Sequence, residues 1–127
     1  MMKLVKIEVG SSKNYTSPML TFSKRGMFTL NSAMAEFIRF KKGDKIVFLK
    51  DEEKPKSWFI TLSKDDGFHI QVVKSGKYMT RKFQRKALFD VMSKALTIPD
   101  NCNTFLIGSE VKVEGVSYYP LILNRPH

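Results

Sequence analysis

Apolar and polar residues alternate with a period of two along most of this chain, and twice the period lengthens to that of a helix. Residues 3–9, KLVKIEV, predict a half-buried strand with Leu4 or Val5, Ile7 and Val9 toward a core. Residues 10–18 are rich in Gly, Ser and Asn and carry little that is apolar, which predicts a mobile loop. Two short apolar strands, 19–22 and 27–30, flank Ser23-Lys24-Arg25-Gly26, a hairpin turn with a basic tip in which the glycine supplies positive φ. Asn31 or Ser32 can cap a helix over residues 32–40, with Ala33, Met34, Phe37 and Ile38 at helical spacing. Lys41-Lys42-Gly43-Asp44 closes it, and residues 45–50 return to strand.

The charged turn 51–57 contains Pro55, which keeps it from pairing, and Trp58-Phe59-Ile60-Thr61-Leu62 resumes the sheet. Asp65-Asp66-Gly67 and Ser75-Gly76 read as hairpin turns joining strands 68–73 and 77–80 into an antiparallel meander. Residues 81–96 predict the longer helix, capped by Thr80, with Ala87, Leu88, Val91, Met92, Ala95 and Leu96 on one stripe. Pro99 ends it; strands 104–113 and 116–123 turn around Glu114-Gly115, and the tail 124–127 is expected to fray. The sum is one α+β domain over residues 1–127, a mostly antiparallel sheet with two helices. A strand-helix-strand-strand order recurs in 27–62 and 78–123, as in a pseudo-repeat.

Composition adds a sign to this outline. The net charge is +10; residues 1–50 carry ten Lys or Arg against three acids, and residues 77–96 carry six against one. An excess concentrated in the helix-bearing segments favours polyanionic partners, the plainer reading being a solubilising surface. The single cysteine, Cys102, makes no internal disulfide, and no apolar run approaches the roughly 18 residues of a membrane helix, so a cytoplasmic protein without a membrane partner is expected.

Candidate chemistry is sparse. One Cys and two His give no metal-ligand cluster, His69 reads as a surface residue, Asp65-Asp66 belongs to a turn, and no glycine-rich phosphate cradle occurs. The expectation is a protein that is not an enzyme and needs no cofactor. Basic clusters stand out instead: Lys24 and Arg25 at the hairpin tip, Arg39, Lys41 and Lys42 at the first helix end, and Arg81, Lys82, Arg85 and Lys86 on the second helix. Tyr78 beside them is the aromatic to stack on a base, whereas Trp58 and most Phe residues fall at core positions.

Residues 21–50 carry a further pattern. Ser23-Lys24-Arg25-Gly26, then Met27-Phe28-Thr29-Leu30, then Phe40-Lys41-Lys42-Gly43-Asp44-Lys45-Ile46-Val47-Phe48 resembles the core of the AbrB-like swapped-hairpin DNA-binding proteins. The resemblance implies a homodimer of interleaved hairpins that binds duplex DNA through its basic loops, as a small transcriptional regulator does. The order ββββα over 45–96 is similar in topology to the single-stranded DNA-binding sheets of the PC4 and Whirly type, which makes single-stranded DNA the alternative ligand. A protein-interaction or structural module with no nucleic-acid role is the third reading.

Overall fold

The computed structural model describes residues 17–124; the strand expected at 3–9, most of the loop at 10–18 and the tail at 125–127 lie outside them. In chain order the elements are β1 (Met19–Phe22), β2 (Met27–Leu30), α1 (Ser32–Phe37), β3 (Lys45–Asp51), β4 (Lys54–Ser63), β5 (Phe68–His69) and β6 (Gln71–Ser75). They continue with β7 (Tyr78–Gln84), α2 (Lys86–Leu96), β8 (Thr104–Ile107), β9 (Val111–Val113) and β10 (Val116–Leu123). Neither helix is long and apolar enough to cross a membrane among the described residues.

The strands run in the order β5-β3-β4-β10-β8-β1-β2-β7-β6, every pairing antiparallel. The two ends of that path are one stretch of chain. β5 pairs with β3 and β6 pairs with β7, with only Ile70 between them, so residues 68–75 bring the sheet round to a nearly closed barrel. Alternation then sends every second side chain inward. Leu20, Phe28, Leu30, Ile46, Ile60, Ile70 and Phe105 fill the interior with almost no exposure, and Phe83 stacks between Phe28 and Phe68, centroids 4.9 and 5.4 Å away. Trp58 is buried in the same core.

The pairings relate the two halves of the chain. β1 lies between β2 and β8, and the β5–β6 stretch lies between β7 and β3. β2 pairs with β7, and β4 with β10. The order β1-β2-α1-β3-β4 therefore corresponds, pairing for pairing, to β5/6-β7-α2-β8-β10.

Several expectations change. The stretch 45–80 is no meander: β4 takes β3 and β10 as neighbours, and the loop around Asp65-Asp66-Gly67 carries the chain across to the far edge of β3. Gly67 is needed there for proximity as well as for its φ of +109°, since a Cβ would sit 2.5 Å from the Ile46 carbonyl oxygen. That topology also removes the ββββα order behind the PC4 and Whirly comparison. Residues 81–84, expected in a helix, are strand, because β2 needs a partner on its second edge and Phe83 needs the core; the helix starts at Lys86 behind Arg85, not behind Thr80. α1 stops at Phe37, three residues early, where Arg39 takes a left-handed φ of 61°. Phe40 N–H then reaches back to the Ala35 carbonyl. β4 begins at Lys54 and runs through Pro55, with Asp51 opposite Lys54 across a bulge.

Candidate interaction surface

Strand phase decides which side chains face outward. With Trp58 and Ile60 inside, Phe59 points out; with Tyr119 and Leu121 inside, Tyr118, Pro120 and Ile122 point out. Register joins these into rows. Leu49 lies opposite Phe59 and Phe59 opposite Pro120, while Tyr118 lies opposite Val111. The opposite wall has a different chemistry: Thr104, Thr21, Thr29, Lys82 and Gln71 form one outward row across five strands.

The apolar rows frame a cleft of about 250 Å³ between the β3–β4 and β9–β10 hairpins, walled by Leu49, Phe59, Val111, Val113 and Tyr118 with Lys50 and Asp51 at its rim. Val111, Val113 and Val116 are exposed although all three are β-branched and apolar. β9 pairs only with β10 among the described strands, which leaves its outer edge of N–H and C=O groups open. Polar contacts tie this hairpin to its surroundings. Ser117 Oγ donates to the Glu110 carboxylate, which that bond holds below its ordinary range against the opposing effect of burial; the Lys112 and Arg39 charges and a bond from Tyr119 assist. Burial and then the Glu110 charge push the Tyr119 phenol up. Thr61 Oγ1 donates to the Ser117 carbonyl at 2.7 Å, tying the hairpin to β4.

The basic residues singled out in the sequence separate into groups. Arg85 N–H donates to the Gly26 carbonyl at 2.8 Å, which places the tip with Lys24 and Arg25 against the start of α2 with Arg85 and Lys86. Lys24 pairs with Asp100 at 3.3 Å, and Lys86 with Asp90 at 2.8 Å. Arg81 and Lys82 sit on opposite faces of β7, so the single basic helix face is lost. Arg39, Lys41 and Lys42 lie elsewhere, in the turn that closes on Asp44: Lys41 N–H donates to Asp44 Oδ2, and Lys64 pairs with its other oxygen. Tyr78 is 79% exposed near a hairpin tip, whereas Trp58 is buried in the core. Among the described residues no three His, Cys, Asp or Glu side chains gather as metal ligands.

Residues 25–77 match the family model of the variant SH3 domain. The match covers under half of the chain, β2 to β6 with α1. No curated protein and no solved structure matches the chain. The matched segment includes nearly all of the residues that carried the AbrB-like resemblance, and it overturns that reading together with the duplex DNA, transcription-regulator and homodimer expectations built on it. The physical reason lies in the topology: interleaving that would need a second copy takes place within one chain, where β2 pairs with β7 and β4 with β10. SH3-type domains are generally noncatalytic interaction modules, and their characteristic ligands are proline-rich peptides rather than nucleic acid.

The matched segment supplies Leu49, Lys50, Asp51 and Phe59 to the cleft; Val111, Val113 and Tyr118 come from outside it. None of these is among the candidate binding residues of the sequence, where Phe59 reads as a core-packing aromatic. A signal was present, since WFITL and VSYYPLIL are apolar in both phases, the mark of a strand with contacts on both faces.

Proposed function

We propose that this protein is a noncatalytic protein-interaction module that holds an extended, proline-containing apolar segment of a partner in the cleft between the β3–β4 and β9–β10 hairpins. The observation that carries the reading is an aromatic and aliphatic cleft under an open strand edge. The Phe59 and Tyr118 rings and the Val111 and Val113 side chains offer apolar walls, and the free edge of β9 offers main-chain hydrogen bonds that an extended peptide can meet. The match of residues 25–77 to the variant SH3 domain supports the same class of partner.

An array of proline-rich peptides, followed by calorimetric titration of its best binder, tests this. Binding of at least one peptide is expected, weakened about tenfold or more by Tyr118→Ser or Val111→Asp in protein of unchanged circular dichroism, as loss of a central apolar anchor implies. No binder, or a binder indifferent to both substitutions, sinks the reading.

A further inference from the structure

A second surface lies on the opposite wall of the barrel. Residues 67–89 contain no Asp or Glu and six Lys or Arg. Among the described residues only Lys86 of those six is in an ion pair, with Asp90, so Lys74, Lys77, Arg81, Lys82 and Arg85 carry uncompensated charge. The hairpin that bears most of them also outruns its support. The β2–β7 pairing ends at Leu30 opposite Arg81, while β6–β7 continues to Ser75 opposite Tyr78. Three residues of β7, about 10 Å of strand, therefore project as a two-stranded arm. Gly76 at its tip has no atom within 4 Å of where a Cβ would stand, whereas Gly26 at the corresponding β1–β2 tip is pressed against the backbone of Lys86.

Where it projects the arm mixes apolar side chains with Lys74 and Lys77, and Arg81 and Lys82 lie where it joins the barrel. Val73, Tyr78 and Met79 are exposed. Tyr78, Thr80 and Lys82 share one face of β7, with Val73 opposite Thr80 and Gln71 opposite Lys82. Beyond Lys82 that face runs into a polar depression lined by His69, Gln71, Gln84 and Arg85, the guanidinium of Arg85 lying 6.0 Å from the Phe68 ring centre. An extended strand spans from Lys82 to Tyr78 in four residues.

We propose that the β6–β7 arm docks an acidic polypeptide segment, with carboxylates at Lys82 and Arg85 and an apolar side chain about four residues away against Val73 and Tyr78. Charge complementarity selects the acidic partner. The aliphatic side chain of Val73, on the same face as Tyr78 and Lys82, favours a polypeptide over a nucleic-acid strand, whose bases offer flat rings and no aliphatic side chain. This site is independent of the cleft between the β3–β4 and β9–β10 hairpins.

The test uses the full chain and fluorescence anisotropy with a labelled peptide of about twelve residues, mostly Glu with a Val-Phe pair in the centre. Expected is binding that weakens as salt rises. It should weaken about tenfold on Lys82→Glu with Arg85→Glu, and several-fold on Tyr78→Ser, or when Ser replaces the peptide's apolar pair. Tyr78→Ser changes an exposed residue of the overhang, so it reads the site even if the charge reversals disturb folding. The proposal is overturned if the peptide does not bind, if binding ignores these changes, or if duplex or single-stranded DNA of equal charge binds as tightly. Retention of acidic-peptide binding by Tyr118→Ser keeps this site distinct from the cleft; loss there overturns the separation.

Discussion

Gly26→Ala measures how firmly the first hairpin tip is seated on the second helix. Gly26 has φ of +84°, and a Cβ there would stand 2.5 Å from both the nitrogen and the Cα of Lys86 and 2.7 Å from the Arg85 carbonyl carbon. An L-residue in the left-handed region costs about 1–2 kcal/mol. The clash is with backbone, so relief requires the β7–α2 junction to move by roughly 1 Å, an overpacking cost of about 1–3 kcal/mol. That movement also strains the Arg85 N–H to Gly26 carbonyl bond, 2.8 Å long and worth about 1 kcal/mol. Restricting the unfolded chain returns about 0.4–1 kcal/mol. The net loss is about 3 kcal/mol. Gly43→Ala is the control, because Gly43 has φ of +97° but nothing within 4 Å of a Cβ, so only the conformational part remains, about 1 kcal/mol. Urea unfolding followed by the fluorescence of the one tryptophan, buried Trp58, reads both variants. Equal losses would refute the close approach and leave Gly26 as an ordinary turn glycine.

Phe83→Ala removes the middle ring of the Phe28–Phe83–Phe68 stack and is expected to cost about 3–5 kcal/mol in the same assay. Asp44 is only 6% exposed; burial pushes its pKa up, but the Lys64 bond, the Lys41 N–H and both lysine charges outweigh that and leave it below its ordinary value. Its folded pKa is depressed, so the stability it contributes is present above the unfolded pKa near 4 and is lost as pH falls through the folded value. Asp44→Asn should therefore lose about 1–3 kcal/mol at neutral pH and show a flatter fall in urea midpoint below about pH 4 than the parent chain. Lys24→Ala breaks a pair whose two side chains are both largely exposed, and its urea midpoint should stay within about 0.5 kcal/mol of the parent.

Local signals were legible where local chemistry decides the outcome. Residues 19–22, 27–30 and 116–123 are strands at the bounds the alternation predicts, and Asn31 caps α1 through its side chain to the Met34 N–H at 2.8 Å. The misreadings occur where a distant partner decides. RKFQR has charges at helical spacing, yet Phe83 is worth more between two phenylalanines, and pairing with β2 follows. Asp65-Asp66-Gly67 has hairpin chemistry, but a hairpin from β4 would have used the edge that β10 occupies, so the glycine serves a crossover instead. The cleft was illegible for a similar reason. Phe59 and Tyr118 meet only through the β4–β10 register, and no stretch of sequence holds both.

The correspondence between the halves also explains where function can reside. Two hairpins, β1–β2 and β6–β7, hold equivalent places in the barrel, and each ends in a glycine turn. The first is anchored by its contact with Lys86 and the bond from Arg85. The second has none of these at its tip and keeps its cations unpaired among the described residues. The basic excess visible in the sequence thus divides by structural context: at the first tip Lys24 lies in an internal pair, whereas no cation of the second hairpin does among the described residues.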